Sequence, residues 1–312
     1  MHALANQHCY ARIAAALAMI ALIFSAVQAQ AQDLEPRSYV NTPVGLNFLI
    51  GGYAHTEGKL EFDPTLPVAD AKYHMDTVAV GFAHSFGIAG KSAKFDVIVP
   101  YSSFSGHAEV NGQQRFREMS GYHDPLFRAS VNFYGAPALT VKEFANYHQD
   151  LLIGASLQVS APLGQYDNTK LINLGNNRWS FKPQLGISKA WGSWTVEIAP
   201  GVTFYTDNTD FNRGNTFEQS PLYSVQTHVV HGFANGIWLA ADATYYSGGR
   251  TKLNGVQGDT LQSNTRGGLT LALPVDRSNS IKFYAYGGTS SRTGTTANSL
   301  GIAWQYRWGG GY

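Results

Sequence analysis

The sequence feature that constrains the fold most is an alternation of large apolar and small or polar residues with a period of two. It is clearest in Ser299–Trp308 and recurs in Trp179–Ile187 and Trp194–Phe204. Successive side chains of a β-strand point to opposite faces, whereas the apolar residues of an amphipathic helix recur every three or four positions. These runs therefore predict strands with one apolar face.

About twelve such runs cover the chain. They predict strands near Val44–Tyr53, Tyr73–Ser85, Ala93–Ser103, Tyr122–Tyr134, Gln149–Ala161, Arg178–Trp191, Trp194–Thr206, Pro221–His231, Ile237–Ser247, Ser263–Leu273, Ile281–Thr289 and Ser299–Trp308. No linker or shift in composition divides them. A single all-β domain is therefore predicted for residues 32–312.

The connections between these strands alternate between long and short. The long ones are Ala54–Lys72, Phe104–Gly121, Pro162–Asn177, Asp207–Ser220, Gly248–Gln262 and Ser290–Asn298, and the short ones are Phe86–Ser92, Gly192-Ser193, Gly232–Gly236 and Pro274–Ser280. Gly135–His148 breaks the rule and is long enough for a helical turn. A soluble β-sandwich also alternates along its strands, but an even-stranded outer-membrane barrel places its short turns at one end and its long loops at the other. We therefore predict a single antiparallel transmembrane β-barrel of about twelve strands, with both termini and the short turns in the periplasm.

Aromatic residues near the strand ends support a barrel in lipid. The predicted aromatic girdle comprises Tyr101, Tyr134, Trp179, Trp191, Trp194, Trp304 and Trp308. Aromatic side chains collect at both membrane interfaces of such barrels, whereas in a sandwich they more often lie in the middle of the core. Outer-membrane lipid is therefore an expected partner.

The opposite face of the strands is polar and is predicted to line the lumen as a candidate solute path. Its polar residues are Asp96, Arg128, Gln158, Lys182, Gln184, Glu197, Asp242, Arg266, Lys282 and Arg307. Five cations against three anions favour neutral or anionic solutes. Small barrels also fill their interiors with side chains, so a barrel plugged by its own ion pairs is the alternative.

The first residues resemble an export signal. Arg12 precedes the apolar run Ile13–Val27, and Ala29-Gln30-Ala31 provides a small-x-small cleavage site. We predict a cleaved signal peptide over residues 1–31, export to the outer membrane of a Gram-negative cell, and insertion by the barrel-assembly machinery. The one cysteine, Cys9, lies in this segment, so the mature chain has no disulfide and no thiolate metal site.

Charge excludes one class of partner. The formal net charge is only +1, and charged residues make up 14% of the chain. A nucleic-acid-binding protein would need a basic surplus. No nucleic-acid partner is predicted.

The sequence offers little that resembles a catalytic or metal site. His228 and His231 are three residues apart on one predicted strand and so point to opposite faces, while His74 and Asp76 share a face. Asp167-Asn168-Thr169 and the run 207–210 carry hard oxygen ligands, which suit Ca²⁺ but are also typical of tight turns. We predict no catalytic residue, no metal and no cofactor, and an outer-membrane enzyme acting on lipid stays an alternative.

Four segments carry a resemblance to a known family. They are Asp33–Gly52, Gly121–Leu139, Ser160–Tyr166 and Asn176–Trp194. They resemble a bacterial family labelled "putative meta-pathway of phenol degradation", whose members are often called transporters. The resemblance covers the mature chain and implies passage of aromatic or other hydrophobic compounds across the outer membrane. The expected function is thus a channel or transporter-like barrel for such solutes, and the alternatives are a lipid-modifying barrel or a plugged structural one.

Overall fold

The structure is a computed structural model that describes residues 35–61, 68–290 and 294–311. Thirteen long strand segments form the wall of one barrel. They are β1 (Leu46–Glu61), β2 (Val68–Ile88), β3 (Lys91–Val110), β4 (Gln113–Tyr122), β5 (Leu126–Tyr134), β6 (Leu151–Ser160), β7 (Ser180–Trp191), β8 (Trp194–Tyr205), β11 (Leu222–Gly232), β12 (Trp238–Gly248), β15 (Gln262–Pro274), β16 (Asn279–Ser290) and β17 (Gly294–Gly309). Four short strands, β9 (Asn208–Phe211), β10 (Asn215–Gln219), β13 (Thr251–Leu253) and β14 (Val256–Gln257), lie outside the wall.

The barrel closes on itself with twelve antiparallel strands. β1 pairs with both β2 and β17, so the first and last strands form the closing seam. β4 and β5 are two parts of one strand, because both pair with β3 on either side of the break His123-Asp124-Pro125. Pro125 has no N–H to donate to a ladder, which fits its place at the break. The predicted twelve-stranded barrel is confirmed.

The polarity of the wall is the inverse of that of a soluble protein. On β7, Lys182, Gln184 and Ser188 are buried, whereas the intervening Leu185 and Ile187 are exposed. A soluble β-sheet buries its apolar face instead. Apolar residues outside and polar residues inside are typical of a barrel that lies in lipid.

Three of the predicted long loops belong largely to strands of the wall, so their boundaries were wrong. Most of Ala54–Lys72 belongs to β1 and β2, most of Phe104–Gly121 to β3 and β4, and Ser290–Asn298 mainly to β16 and β17. Towards their far ends the polarity of these strands reverses, with Tyr73, Met75 and Phe104 packed inside the barrel, so the pattern of apolar residues outside stops while the backbone ladder continues. β3 and β4 are joined by Asn111-Gly112, both with positive φ (51° and 74°), as a tight two-residue turn requires.

The two ends of the barrel differ, and we call them the outer end and the inner end. At the outer end, β9, β10, β13 and β14 form a small separate sheet that buries Phe211, Phe217 and Leu253. The inner end carries the short turns between strands. Here the connection Gly135–His148 contains helix α1 (Val141–Phe144), and Thr140 and Glu143 form a capping box at its start. Among the described residues, no helix is long and apolar enough to cross a membrane.

Candidate functional site: the lumen and its N-terminal segment

Residues 35–44, which we call the N-terminal segment, lie inside the barrel rather than beside it. Tyr39 is only 3% exposed, and its hydroxyl is 3.1 Å from the Ser156 hydroxyl on β6. The amide of Asn132 on β5 donates to the backbone oxygen of Tyr39 over 2.9 Å. Both partners are buried on the inner face of the wall. The segment therefore crosses the lumen.

Two glycines of the wall make room for the Tyr39 ring. A Cβ atom on Gly186 would lie 2.1 Å from that ring, and one on Gly154 would lie 3.0 Å from it. A distance of 2.1 Å is far inside van der Waals contact. Gly186 of β7 and Gly154 of β6 are paired in the ladder. Because neither has a side chain, they leave a depression in the inner surface of the wall, and the Tyr39 ring fills it.

Charged groups hold the rest of the segment. The backbone N–H of Arg37 donates to Glu197 Oε2 over 2.6 Å, and its guanidinium lies 5.6 Å from the ring centre of Trp238. Lys94 Nζ donates to the backbone oxygen of Ser38 over 2.6 Å. Glu35 forms an ion pair with Lys282. The segment therefore contacts wall strands on several sides of the lumen.

A cavity of about 860 Å³ remains inside the barrel. Its lining extends from Tyr73, Met75 and Leu174 near the outer end to Arg307 near the inner end. The outer part is apolar, because these three residues belong to a cluster with Phe104 that packs inside the barrel. Six cationic and five acidic side chains line the cavity, so its charge is more balanced than the sequence-based excess of five cations over three anions suggests.

The predicted lumen residues all lie on the inner side of the wall. Asp96, Arg128, Gln158, Asp242, Arg266, Lys282 and Arg307 line the cavity. The other three predicted residues are buried on the inner face of the wall. They are Lys182, Gln184 and Glu197. The ion pair of Asp96 with Arg128 (2.9 Å) shows that part of the charge is neutralised within the wall.

Sequence reasoning missed several charged residues of the lumen. Lys94 alternates in step with Asp96 on β3 and could have been found by that signal. Glu35 and Arg37 gave no such signal, because the N-terminal segment has no regular alternation.

A polar row crosses three neighbouring strands beside Arg37. His228 of β11 is in register with Glu197 of β8 and with Asp242 of β12. His228 Nδ1 lies 2.6 Å from Asp242 Oδ1. At the next inward-facing position of β11, the side-chain amide of Gln184 donates to Gln226 over 2.9 Å. His231 lies on the other face of β11 against Trp194, with ring centres 4.4 Å apart, so the two histidines of this strand are indeed separated.

The second histidine–acid arrangement differs from the predicted one. Asp76 on the outer surface accepts a hydrogen bond from the Tyr53 hydroxyl (2.6 Å) and contacts His55 Nδ1 (2.8 Å). The sequence had suggested His74 as its partner. The register of β1 and β2 explains the difference, because His55 lies directly opposite Asp76.

The two loops whose oxygen-rich composition would suit Ca²⁺ are joined to each other by hydrogen bonds. Asn168 donates from its side-chain amide to both oxygens of Asp210 (3.0 and 2.9 Å), and Asp167 accepts from the backbone and hydroxyl of Thr169. The contacts of Asp167 are local turn contacts of the kind that Asp forms in loops, whereas the contacts of Asn168 join the two loops. Within residues 35–61, 68–290 and 294–311, no group of three or more His, Cys, Asp or Glu could hold a metal ion.

The outer end of the lumen is covered by the connection between β6 and β7. Asp124, at the break between β4 and β5, accepts from the backbone N–H groups of Gly164 (2.9 Å) and Asn176 (2.8 Å). Arg178 is buried between the rings of Tyr205 and Phe217. Burial lowers the pKa of Arg178 to about 10, partly offset by Tyr205 and by Asp124 and Asp207, so it stays charged at neutral pH.

All seven residues of the predicted girdle have exposed side chains on the outer surface of the wall. They are Tyr101, Tyr134, Trp179, Trp191, Trp194, Trp304 and Trp308. Trp191 and Trp194 flank the short β7–β8 turn at the inner end. Trp304, Tyr306 and Trp308 stack along β17. Their assignment to the membrane interface stays a prediction.

A closed barrel with apolar residues outside and a constricted polar lumen defines the class of outer-membrane β-barrels. The chain belongs to the family described as "Putative MetA-pathway of phenol degradation", which it matches over residues 64–306. The family expected from the sequence is therefore confirmed.

Solved structures share the fold. The chain resembles the COG4313 outer membrane channel from Pseudomonas putida F1, with 19% identity, a TM-score of 0.76, and coverage of 88% of this chain and 100% of that one. It also resembles the β-domain of the Bordetella autotransporter BrkA, with 10% identity, a TM-score of 0.51, and coverage of 85% and 100%. A search of curated protein sequences gives no significant match.

Proposed function

We propose that this protein is an outer-membrane channel for small hydrophobic or aromatic solutes, and that the N-terminal segment forms its narrowest point. The observation that carries the proposal is a continuous cavity lined by residues of both ends of the barrel. The family description supports the aromatic part, since degradation of phenols requires that such compounds enter the cell. The similar protein from Pseudomonas putida is an outer membrane channel, which supports transport.

The lining of the cavity suits a solute that is mostly apolar. Tyr73, Met75 and Leu174 offer an aromatic ring a place to leave water at the outer end. Further along, Arg128 and Lys282 line the path. A ring with one polar substituent could contact both parts in turn. We therefore assign the polar lumen residues to the lining of a solute path rather than to catalysis.

The N-terminal segment is suited to be a movable constriction. It precedes β1, and it is held by the Tyr39 ring, by hydrogen bonds and by one ion pair. It adds no strand to the barrel, so its departure would leave every ladder of the wall intact. This distinguishes a gated channel from a barrel that is plugged by the side chains of its wall.

The proposal includes a location and a route to it. An exported chain would lose residues 1–31, and the barrel-assembly machinery would insert it into the outer membrane. With the termini at the inner end, the covering loops would face the exterior and the N-terminal segment would lie near the periplasm.

The proposal predicts faster uptake of aromatic solutes by cells. A porin-deficient Gram-negative strain that expresses the protein should take up labelled benzoate at micromolar concentration several-fold faster than the same strain with an empty vector. Benzoate is chosen because its anion crosses lipid slowly at neutral pH. Unchanged uptake, with the barrel shown to be folded in the outer membrane, would contradict the proposal.

A further inference from the structure

One polar row in the lumen has the properties of a binding site. Glu197, His228 and Asp242 are adjacent on β8, β11 and β12, and none is more than 9% exposed. Burying an ionisable group is costly unless it is paired and hydrogen-bonded. His228 and Asp242 also line the cavity, so this row borders the space through which a solute would pass.

Asp242 fixes the orientation of the His228 ring. Its Oδ1 lies 2.6 Å from His228 Nδ1, and its Oδ2 accepts from the Thr270 hydroxyl over 2.9 Å. The Thr270 hydroxyl is in turn 3.0 Å from the Tyr286 hydroxyl. An ionised carboxylate can only accept hydrogen bonds, so the proton between the two groups belongs to Nδ1. In a neutral imidazole, a proton on Nδ1 leaves a lone pair on Nε2.

The Nε2 atom of His228 has no hydrogen-bond partner among the described residues, although it is buried. A buried polar atom without a partner is costly and is rare in folded proteins. The hydrogen bonds that link Asp242, Thr270 and Tyr286 therefore hold the His228 ring in place. Its Nε2 atom is an acceptor that neither the wall nor the N-terminal segment uses.

We propose that His228 Nε2 accepts a hydrogen bond from the hydroxyl group of a neutral solute, so that the lumen prefers phenols to aromatic compounds without a hydroxyl. This rests on the proposed channel function and names its solute class. Tyr286, which lines the same cavity and whose hydroxyl lies 3.0 Å from that of Thr270, provides ring surface beside this row.

Equilibrium binding tests the proposal without requiring transport. Phenol and anisole have the same ring, but only phenol can donate a hydrogen bond. Titrated calorimetrically into the detergent-folded mature protein, phenol should bind about three- to tenfold more tightly than anisole, as expected for one net hydrogen bond. In the His228→Phe variant the two affinities should become equal. Asp242→Asn, which removes the carboxylate that fixes the tautomer, should also reduce the ratio.

The matched control is His231→Phe, on the same strand but on the outer face, which should keep the preference of the wild type. Equal binding of phenol and anisole by the wild type, or a preference that survives in His228→Phe, would overturn the subsite. If His228→Phe does not fold, two other measurements test the subsite. They are the ratio of the phenol and anisole affinities in Asp242→Asn and the change in the ¹⁵N shift of His228 Nε2 on addition of phenol. Phenol-specific binding without benzoate uptake by cells would contradict the channel function and leave the His228 subsite standing. Benzoate uptake without a preference for phenol would contradict the subsite and leave the channel function standing.

Discussion

Deletion of residues 35–43 from the mature chain is expected to raise the single-channel conductance of the reconstituted protein several-fold. These residues cross the lumen, and Tyr39 fills the space above Gly154 and Gly186. None of them belongs to a wall strand, so the barrel should still close through β1 and β17. Planar-bilayer recordings of the deletion variant and the full mature chain measure the effect directly.

A single substitution gives a graded version of the same result. Tyr39→Ala should raise the conductance by less than the deletion, because the ring is lost but the contacts of Arg37 and Ser38 with the wall remain. Tyr223→Ala is the matched control, since Tyr223 lies on the lipid-facing side of β11 and is 61% exposed. If the deletion variant folds and its conductance equals that of the intact chain, the N-terminal segment is not the constriction.

Trp308→Asp is expected to reduce the amount of inserted barrel at least tenfold. Trp308 ends the aromatic stack of β17, lies near Phe82 with ring centres 6.2 Å apart, and is in register with Asn47 across the closing seam. A carboxylate there removes those contacts and adds a charge to the lipid-facing surface, which is unfavourable. We also expect the aromatic stripe of this strand to be the signal that the assembly machinery reads. The heat-modifiable band of outer-membrane fractions on gels measures insertion.

Deletion of residues 310–312 is the comparison for that variant. Gly309 still pairs with Leu46 in β1, so β17 ends there and Gly310 and Gly311 lie beyond it. Tyr312 lies outside the described residues. Insertion should therefore survive this deletion. Equal loss in both variants would place the signal at the C-terminal residue instead of Trp308.

The wall of the barrel could be predicted from the sequence because one physical rule acts along its whole length. Lipid outside and polar groups inside impose a period of two, which β7 and β17 display over almost every residue. The rule fails where lipid ends. In the hairpin of β3 and β4 the polarity reverses, because Phe104 and Ala108 pack inside the barrel while His107 is exposed, so the pattern of apolar residues outside stops although the backbone ladder continues.

The candidate site was predicted in part for the same reason. The alternation assigned Glu197 and Asp242 to the inner face, but it could not show which side chains meet across the lumen. The N-terminal segment has no periodicity, and its fit depends on two paired glycines, Gly154 and Gly186, that are more than 100 residues away from it in the sequence. The row through His228 depends on the register of three strands, which is set by pairing and not by local sequence.

Liposome swelling with the purified, folded protein tests the central claim most directly. Vesicles that contain the protein are diluted into iso-osmotic benzoate, a disaccharide or a simple salt, and vesicles that contain heat-unfolded protein serve as the control. A channel of this lining should admit benzoate faster than the disaccharide, and the chain that lacks residues 35–43 should admit both solutes faster than the intact chain does. If neither the intact chain nor the deletion variant admits benzoate while both are folded, the barrel is a plugged structure and not a channel.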